Sequence, residues 1–83
     1  MYGVRAGNVS DAIAHFNELG PGAVGAAVIR QPGTDVEHVV NVVNKGGQVL
    51  FIDTQRGTIV TLRPELELQY GAAIRNGETA RIK

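Results

Sequence analysis

Three residues carry the chemistry that this sequence can offer: His38, Asp53 and Gln55. A carboxylate that accepts from one imidazole nitrogen fixes the tautomer and orientation of the ring. The other nitrogen is then free to exchange a proton with a nucleophile. Asp53 also favours the imidazolium by opposite charge at short range. A nearby amide such as Gln55 can donate to an oxyanion or orient the pair. The competing reading is that His38 and Asp53 cap two strand ends and hydrogen-bond locally, as polar residues at strand ends commonly do.

Whether the two meet depends on the elements that carry them. Glu37 to Asn44 (EHVVNVVN) and Gln48 to Asp53 (QVLFID) read as strands joined by a turn at Lys45-Gly46-Gly47. Strand side chains alternate between faces, so register decides the outcome. With a two-residue loop, Lys45 pairs with Gln48, Val40 lies opposite Asp53 and His38 lies opposite Gln55. With a four-residue loop, His38 lies opposite Asp53. A three-residue loop would put His38 and Asp53 on opposite faces. Asn41 points away from His38 in the productive registers and reads as structural, and Asn44 reads as a turn residue.

Before this hairpin, Ser10 to Leu19 reads as a helix with Ser10 as N-cap and Asp11 at the positive end of the dipole. Val9, Ile13 and Phe16 recur at helical spacing, widened by Ala12 and Leu19. Gly20-Pro21-Gly22 stops the helix. His15 falls off the apolar stripe and reads as a solvated surface residue. Ala23 to Arg30 is a strand in which Gly25 and Ala26 leave room for close packing, and Pro32-Gly33 signals a turn. After the hairpin, Arg56-Gly57 is a turn and Thr58 to Leu62 a strand that ends at Arg63-Pro64. Pro64 to Tyr70 fits either one helical turn or an alternating strand. A last hairpin is expected around Asn76-Gly77. The fold class is α+β: one N-terminal helix followed by a mostly antiparallel sheet, in a single domain over residues 1–83.

Composition narrows the function. The 83 residues hold eight basic and eight acidic side chains, so no charge excess draws the chain to nucleic acid or an anionic membrane. Two tyrosines and two phenylalanines, with no tryptophan, are too few for a base-stacking platform. The apolar runs are too short to span a bilayer, and the N-terminus lacks the apolar core of a signal peptide. His15 and His38 sit on different elements without carboxylates at ligand spacing, so no metal or cofactor is expected. Gly46-Gly47 opens a strand rather than a helix and makes no phosphate loop. The cysteine count is zero, which removes disulfides and any thiol nucleophile from these residues.

Three features taken together resemble the papain-fold toxin domain at the C-termini of bacterial polymorphic toxins, of the glutamine deamidase type. They are LGPGAVG at Leu19 to Gly25, EHVVNVVNKGGQVLFIDTQRG at Glu37 to Gly57, and the spacing between them. That family shows a Gly-Pro-Gly segment, a strand with a histidine, two apolar residues and then Asn-Val-Asn or Asn-Val-Val-Asn, and a strand that ends in Asp-x-Gln followed by glycine. His38, Asn41, Val42, Asn44, Asp53, Gln55 and Gly57 stand here in that order, and the likeness covers about residues 9–60.

The resemblance implies a papain-like core and a Cys-His-Asp thiol mechanism that hydrolyses a protein glutamine side chain to glutamate. It implies His38 as general base and acid, Asp53 as its orienting partner, and Gln55 as the family's glutamine after the aspartate. It also implies that the chain is the C-terminal part of such a fold, with the cysteine on an upstream segment or a second chain. Its partners would be a target protein that bears a glutamine and a cognate immunity protein. Its destination would be another cell, reached as part of a larger secreted toxin. Ser10 does not replace the cysteine, because a hydroxyl is far less easily ionised than a thiol.

Two other readings use the same residues. One is a non-catalytic papain-like or cysteine-peptidase-like module that holds a peptide or protein in the cleft. Bacteriocin-processing peptidases carry a similar His-Val-Val strand, but their Asp-Pro is absent here, since Thr54 follows Asp53. The other is a small assembly domain, which expects His38 and Asp53 apart. The deamidase reading expects an exposed apolar patch where the missing segment packs, because valine on both faces of Glu37 to Asn44 asks for cover on both sides.

Overall fold

In the computed structural model, residues 4–30, 33 and 35–74 are described. Seven elements follow in order: β1 (Arg5–Asn8), α1 (Val9–Leu19), β2 (Ala23–Arg30), β3 (Glu37–Lys45), β4 (Gln48–Asp53), β5 (Thr58–Val60) and β6 (Glu67–Ile74). The strands form one sheet in the order β1-β6-β2-β3-β4-β5, and every pairing is antiparallel. The α+β expectation holds, with a six-stranded sheet.

α1 begins two residues earlier than a Ser10 cap would allow. Asn8 is the N-cap: its Oδ1 accepts from the Asp11 N–H at 2.9 Å, and Asp11 Oδ2 accepts from the Asn8 N–H at 3.0 Å. This reciprocal capping box satisfies two backbone donors at once. The N–H groups of Val9 and Ser10 donate to the carbonyls of Leu66 and Pro64 at 2.9 and 3.0 Å. Donors that a helix end would otherwise leave without partners are thus used by the segment that enters β6.

The helix covers one face of the sheet. Val9, Ala12 and Phe16 pack on Ala27, Ile29, Val40, Val42, Phe51, Leu68, Tyr70 and Ala72, with Ile13, Leu19, Val60, Leu62 and Leu66 at the margin. Gly25 lies under Phe16, and a Cβ there would stand 2.7 Å from the Phe16 ring and clash with the Gly71 carbonyl. Only glycine lets β2, β6 and the helix approach so closely.

Asn44 is the buried anchor of this arrangement rather than a turn residue. It sits within β3 at 1 % exposure. Its Nδ2 donates to the Phe16 carbonyl at 2.8 Å, and its Oδ1 accepts from the Gly47 N–H at 2.8 Å. One amide therefore ties the end of α1 to the β3–β4 turn. That turn has two residues, Gly46 and Gly47, both at positive φ (63° and 98°), which a primed hairpin turn requires.

Other expectations change. His15 is not a solvated surface residue. It is half-buried, with its ring 5.6 Å from Tyr70 and 5.7 Å from Phe16. Asn41 is exposed, so it has no buried amide to satisfy. Pro64 to Tyr70 ends in strand β6, whose ladder with β2 outweighs a lone helical turn. β5 ends at Val60 rather than Leu62. The hairpin expected around Asn76-Gly77 lies outside the described residues.

Candidate active site

His38 is the second residue of β3 and Asp53 the last of β4. The two-residue loop sets Val40 opposite Asp53, so His38 is the diagonal neighbour of Asp53 on the same, helix-covered face. Diagonal neighbours lie within reach of long side chains. His38 Nε2 and Asp53 Oδ2 are 3.1 Å apart. The Asp53 side chain is 9 % exposed and the His38 side chain 32 %.

The turn after β4 holds the carboxylate from behind. Asp53 Oδ1 accepts from the backbone N–H groups of Gln55 and Arg56 at 2.9 and 3.3 Å. The Gly57 N–H donates to the Asp53 carbonyl at 2.7 Å, closing the turn with Gly57 at φ 67°. Thr54 Oγ1 donates to the Val39 carbonyl at 3.4 Å, which attaches the turn to β3. One oxygen of Asp53 is thus occupied by its own backbone and the other is presented to His38.

The electrostatics follow from these contacts. Burial alone would raise the Asp53 pKa. The hydrogen bond from Gln55 N–H, that from the His38 ring, that from Arg56 N–H and the charge of His38 outweigh it, and the pKa lies below the ordinary carboxylate value. An ionised carboxylate only accepts, so Nε2 of His38 carries the proton in the shared hydrogen bond. In the neutral ring Nδ1 is then the basic nitrogen. Among the described residues, the His38 ring has no hydrogen-bond partner other than Asp53.

Gln55 enters through its backbone. Because β4 ends at Asp53, the ladder does not continue to place Gln55 opposite His38, and its side chain lies exposed in the turn. Ser10 sits in the first turn of α1, with its backbone bonded to Pro64. The sequence reading missed the backbone donors of Gln55 and Arg56 as carboxylate ligands. The signal was present: an aspartate followed four residues later by glycine is the pattern of a tight Asx-type turn.

No group of three or more His, Cys, Asp or Glu side chains among the described residues is placed to hold a metal. A separate depression of about 580 Å³ lies beside β1 and β6, lined by Gly7, Asp11, Arg30, Glu65, Glu67 and Gln69 among others, and does not include the dyad.

Residues 2–58, more than half of the chain, match the model of one protein family, described as papain fold toxin 1, glutamine deamidase. The chain belongs to this family. Neither a curated protein nor a solved structure matches it. The matched stretch contains α1, β2, β3 and β4 in full, and therefore both members of the dyad. No helix among the described residues is long and apolar enough to cross a membrane.

Proposed function

We propose that this chain carries the proton-transfer half of a protein-glutamine deamidase built on a papain-like core. The observation that supports this is the 3.1 Å contact between His38 Nε2 and Asp53 Oδ2, which leaves Nδ1 without a partner among the described residues. Nδ1 takes the proton from a cysteine thiol that lies outside these residues. The thiolate attacks the carboxamide carbon of a glutamine side chain, and the C–N bond breaks. Nδ1 returns the proton to the departing nitrogen, which leaves as ammonia. A water molecule then gives a proton to Nδ1 and its hydroxide to the thioester, and the products are glutamate and the regenerated thiol.

Asp53 holds the imidazolium through both proton transfers without itself becoming protonated. Gln55 contributes the N–H that keeps Asp53 ionised. His38 projects from the helix-covered face, so the segment that brings the thiol approaches on that face. As a member of a toxin family, the protein acts in a cell into which it is delivered. Its partners are a target protein with an accessible glutamine and an immunity protein in the producing cell.

The test is ammonia release from a glutamine-containing protein, with a small thiol such as 2-mercaptoethanol standing in for the absent cysteine. We expect thiol-dependent release that falls about tenfold in His38→Ala. That is less than the ~10²–10⁴ of a positioned acid–base catalyst, because the added thiol is not held in place. Equal rates in the two proteins would overturn the assignment. Retention of the protein substrate without release would make the domain a binding module instead. His38-dependent release without any thiol would mean that a nucleophile lies within the chain.

A further inference from the structure

The face of the sheet opposite α1 is apolar and uncovered by any described residue. Register places Val24, Ala26 and Val28 of β2, Val39 and Val43 of β3, Leu50 and Ile52 of β4, and Ile59 of β5 on it. None is buried, and Val39 and Ile59 are 47 % and 63 % exposed. A contiguous apolar surface of this kind on a soluble domain marks an interaction site. The dyad cannot be served from it, because His38 and Asp53 project from the other side.

The pattern along β3 identifies the occupant. Its residues on the open face are Glu37, Val39, Asn41, Val43 and Lys45. Read backwards, the series is base, valine, asparagine, valine, acid. β3 is also the middle strand of the five from β6 to β5, with Asn41 at its midpoint. An antiparallel copy of β3 laid across this face therefore meets it residue for residue: Glu37 faces Lys45, Val39 faces Val43, and Asn41 faces Asn41. An amide carries both a donor and an acceptor, so two asparagines related by a two-fold axis satisfy each other. Single buried asparagines fix register in this way in other symmetric assemblies.

We propose that the open face pairs with a second copy of this chain in a two-fold, sheet-on-sheet dimer centred on Asn41. Stacked sheets lie about 10 Å apart with strands inclined by about 30°. Glu37 and Lys45 each stand four residues from Asn41, about 13 Å at strand rise. At that inclination facing ends diverge by about 7 Å, within the combined reach of the two side chains. Glu37 already bonds Arg30 within the chain at 3.0 Å, but the pair is exposed and has a free edge. Lys45 has no ion pair among the described residues. The dimer does not involve the His38–Asp53 face, so it stands or falls separately from the deamidase reading.

Sedimentation equilibrium of the 83-residue chain from micromolar to millimolar concentration tests this, with far-UV circular dichroism confirming the fold of each variant. Charge variants are made in an Arg30→Gln background, which removes the internal pair. A concentration-dependent dimer is expected. Lys45→Glu sets acid against acid at both ends and raises Kd about tenfold. Glu37→Lys combined with Lys45→Glu restores the complementary pattern and brings Kd back to within about threefold of the parent. Asn41→Asp sets two carboxylates together at the centre and raises Kd about a hundredfold. A chain that stays monomeric at millimolar concentration would overturn the proposal. So would a dimer that ignores Lys45→Glu, or one that the swap fails to restore.

Discussion

The two faces of the sheet use nearly the same amino acids and differ in what those amino acids hold. On the helix-covered side, valines, a phenylalanine and small residues are closed over by α1, and the buried amide and carboxylate among them are held by several partners: Asn44 bonds two backbone groups, and Asp53 bonds two backbone groups and a ring. On the open side, valines and isoleucines stand in solvent around an exposed asparagine. A polar group set among buried apolar atoms is held in one geometry, because every alternative leaves it unsatisfied. That is the condition a proton-transfer pair requires, and the closed face meets it. The open face has area and pattern but no fixed chemistry, which suits binding.

Substitutions should reveal this asymmetry, beginning on the closed face. Phe16 is fully buried under the helix, and Phe16→Ala should cost about 3–5 kcal/mol in denaturant unfolding, most of the margin of so small a domain. Asn44→Ala removes two hydrogen bonds and leaves the Phe16 carbonyl with the Gly20 N–H as its one remaining donor. It should cost about 2–3 kcal/mol, and amide exchange should rise at the end of α1 and at Gly47 together.

The dyad should show itself in acid. The Asp53 pKa is lowered in the folded chain, so the unfolded chain binds that proton first as pH falls. Its contribution is fully present above the ordinary value of 3.8 and is lost as pH drops through the folded value. Asp53→Asn should therefore remove part of the acid sensitivity seen below about pH 4. An unchanged acid limb would mean that the turn does not hold the carboxylate as described.

The open face should respond least in the monomer. At low protein concentration Ile59→Ser should change stability by no more than about 0.5 kcal/mol, since exposed apolar positions carry little of the fold. A loss as large as that of Asn44→Ala would erase the distinction between the faces.

The same contrast separates what the sequence made legible from what it hid. β2, β3 and β4 are short apolar runs that carry valine or isoleucine between turns marked by glycine, and that pattern marks strands. The two-glycine loop was one of three registers open from residue types alone, and it is the one that fixes which residues share the closed face. β1 was invisible because Arg5–Asn8 is short, polar and at the sheet edge, without alternation to read. The helix start was misplaced by two residues because Asn8 and Ser10 are both good caps. The three-residue spacing from Asn8 to Asp11 is the capping-box interval that favours Asn8. Asn44 read as a turn residue because its type is common in turns, and only tertiary contact shows it to be buried. The valines on both faces of β3 did imply two covered sides, yet the second cannot receive the nucleophile, because alternation points His38 the other way.

The proposed proton transfer rests on Asp53 fixing the tautomer of His38 so that Nδ1 is the base. Long-range ¹H–¹⁵N correlation spectra of the His38 ring, at a pH where the ring is neutral, test it most directly. A protonated Nε2 and an unprotonated Nδ1 are expected, with the preference lost in Asp53→Ala. A ring protonated at Nδ1, or a tautomer that ignores Asp53, would contradict it.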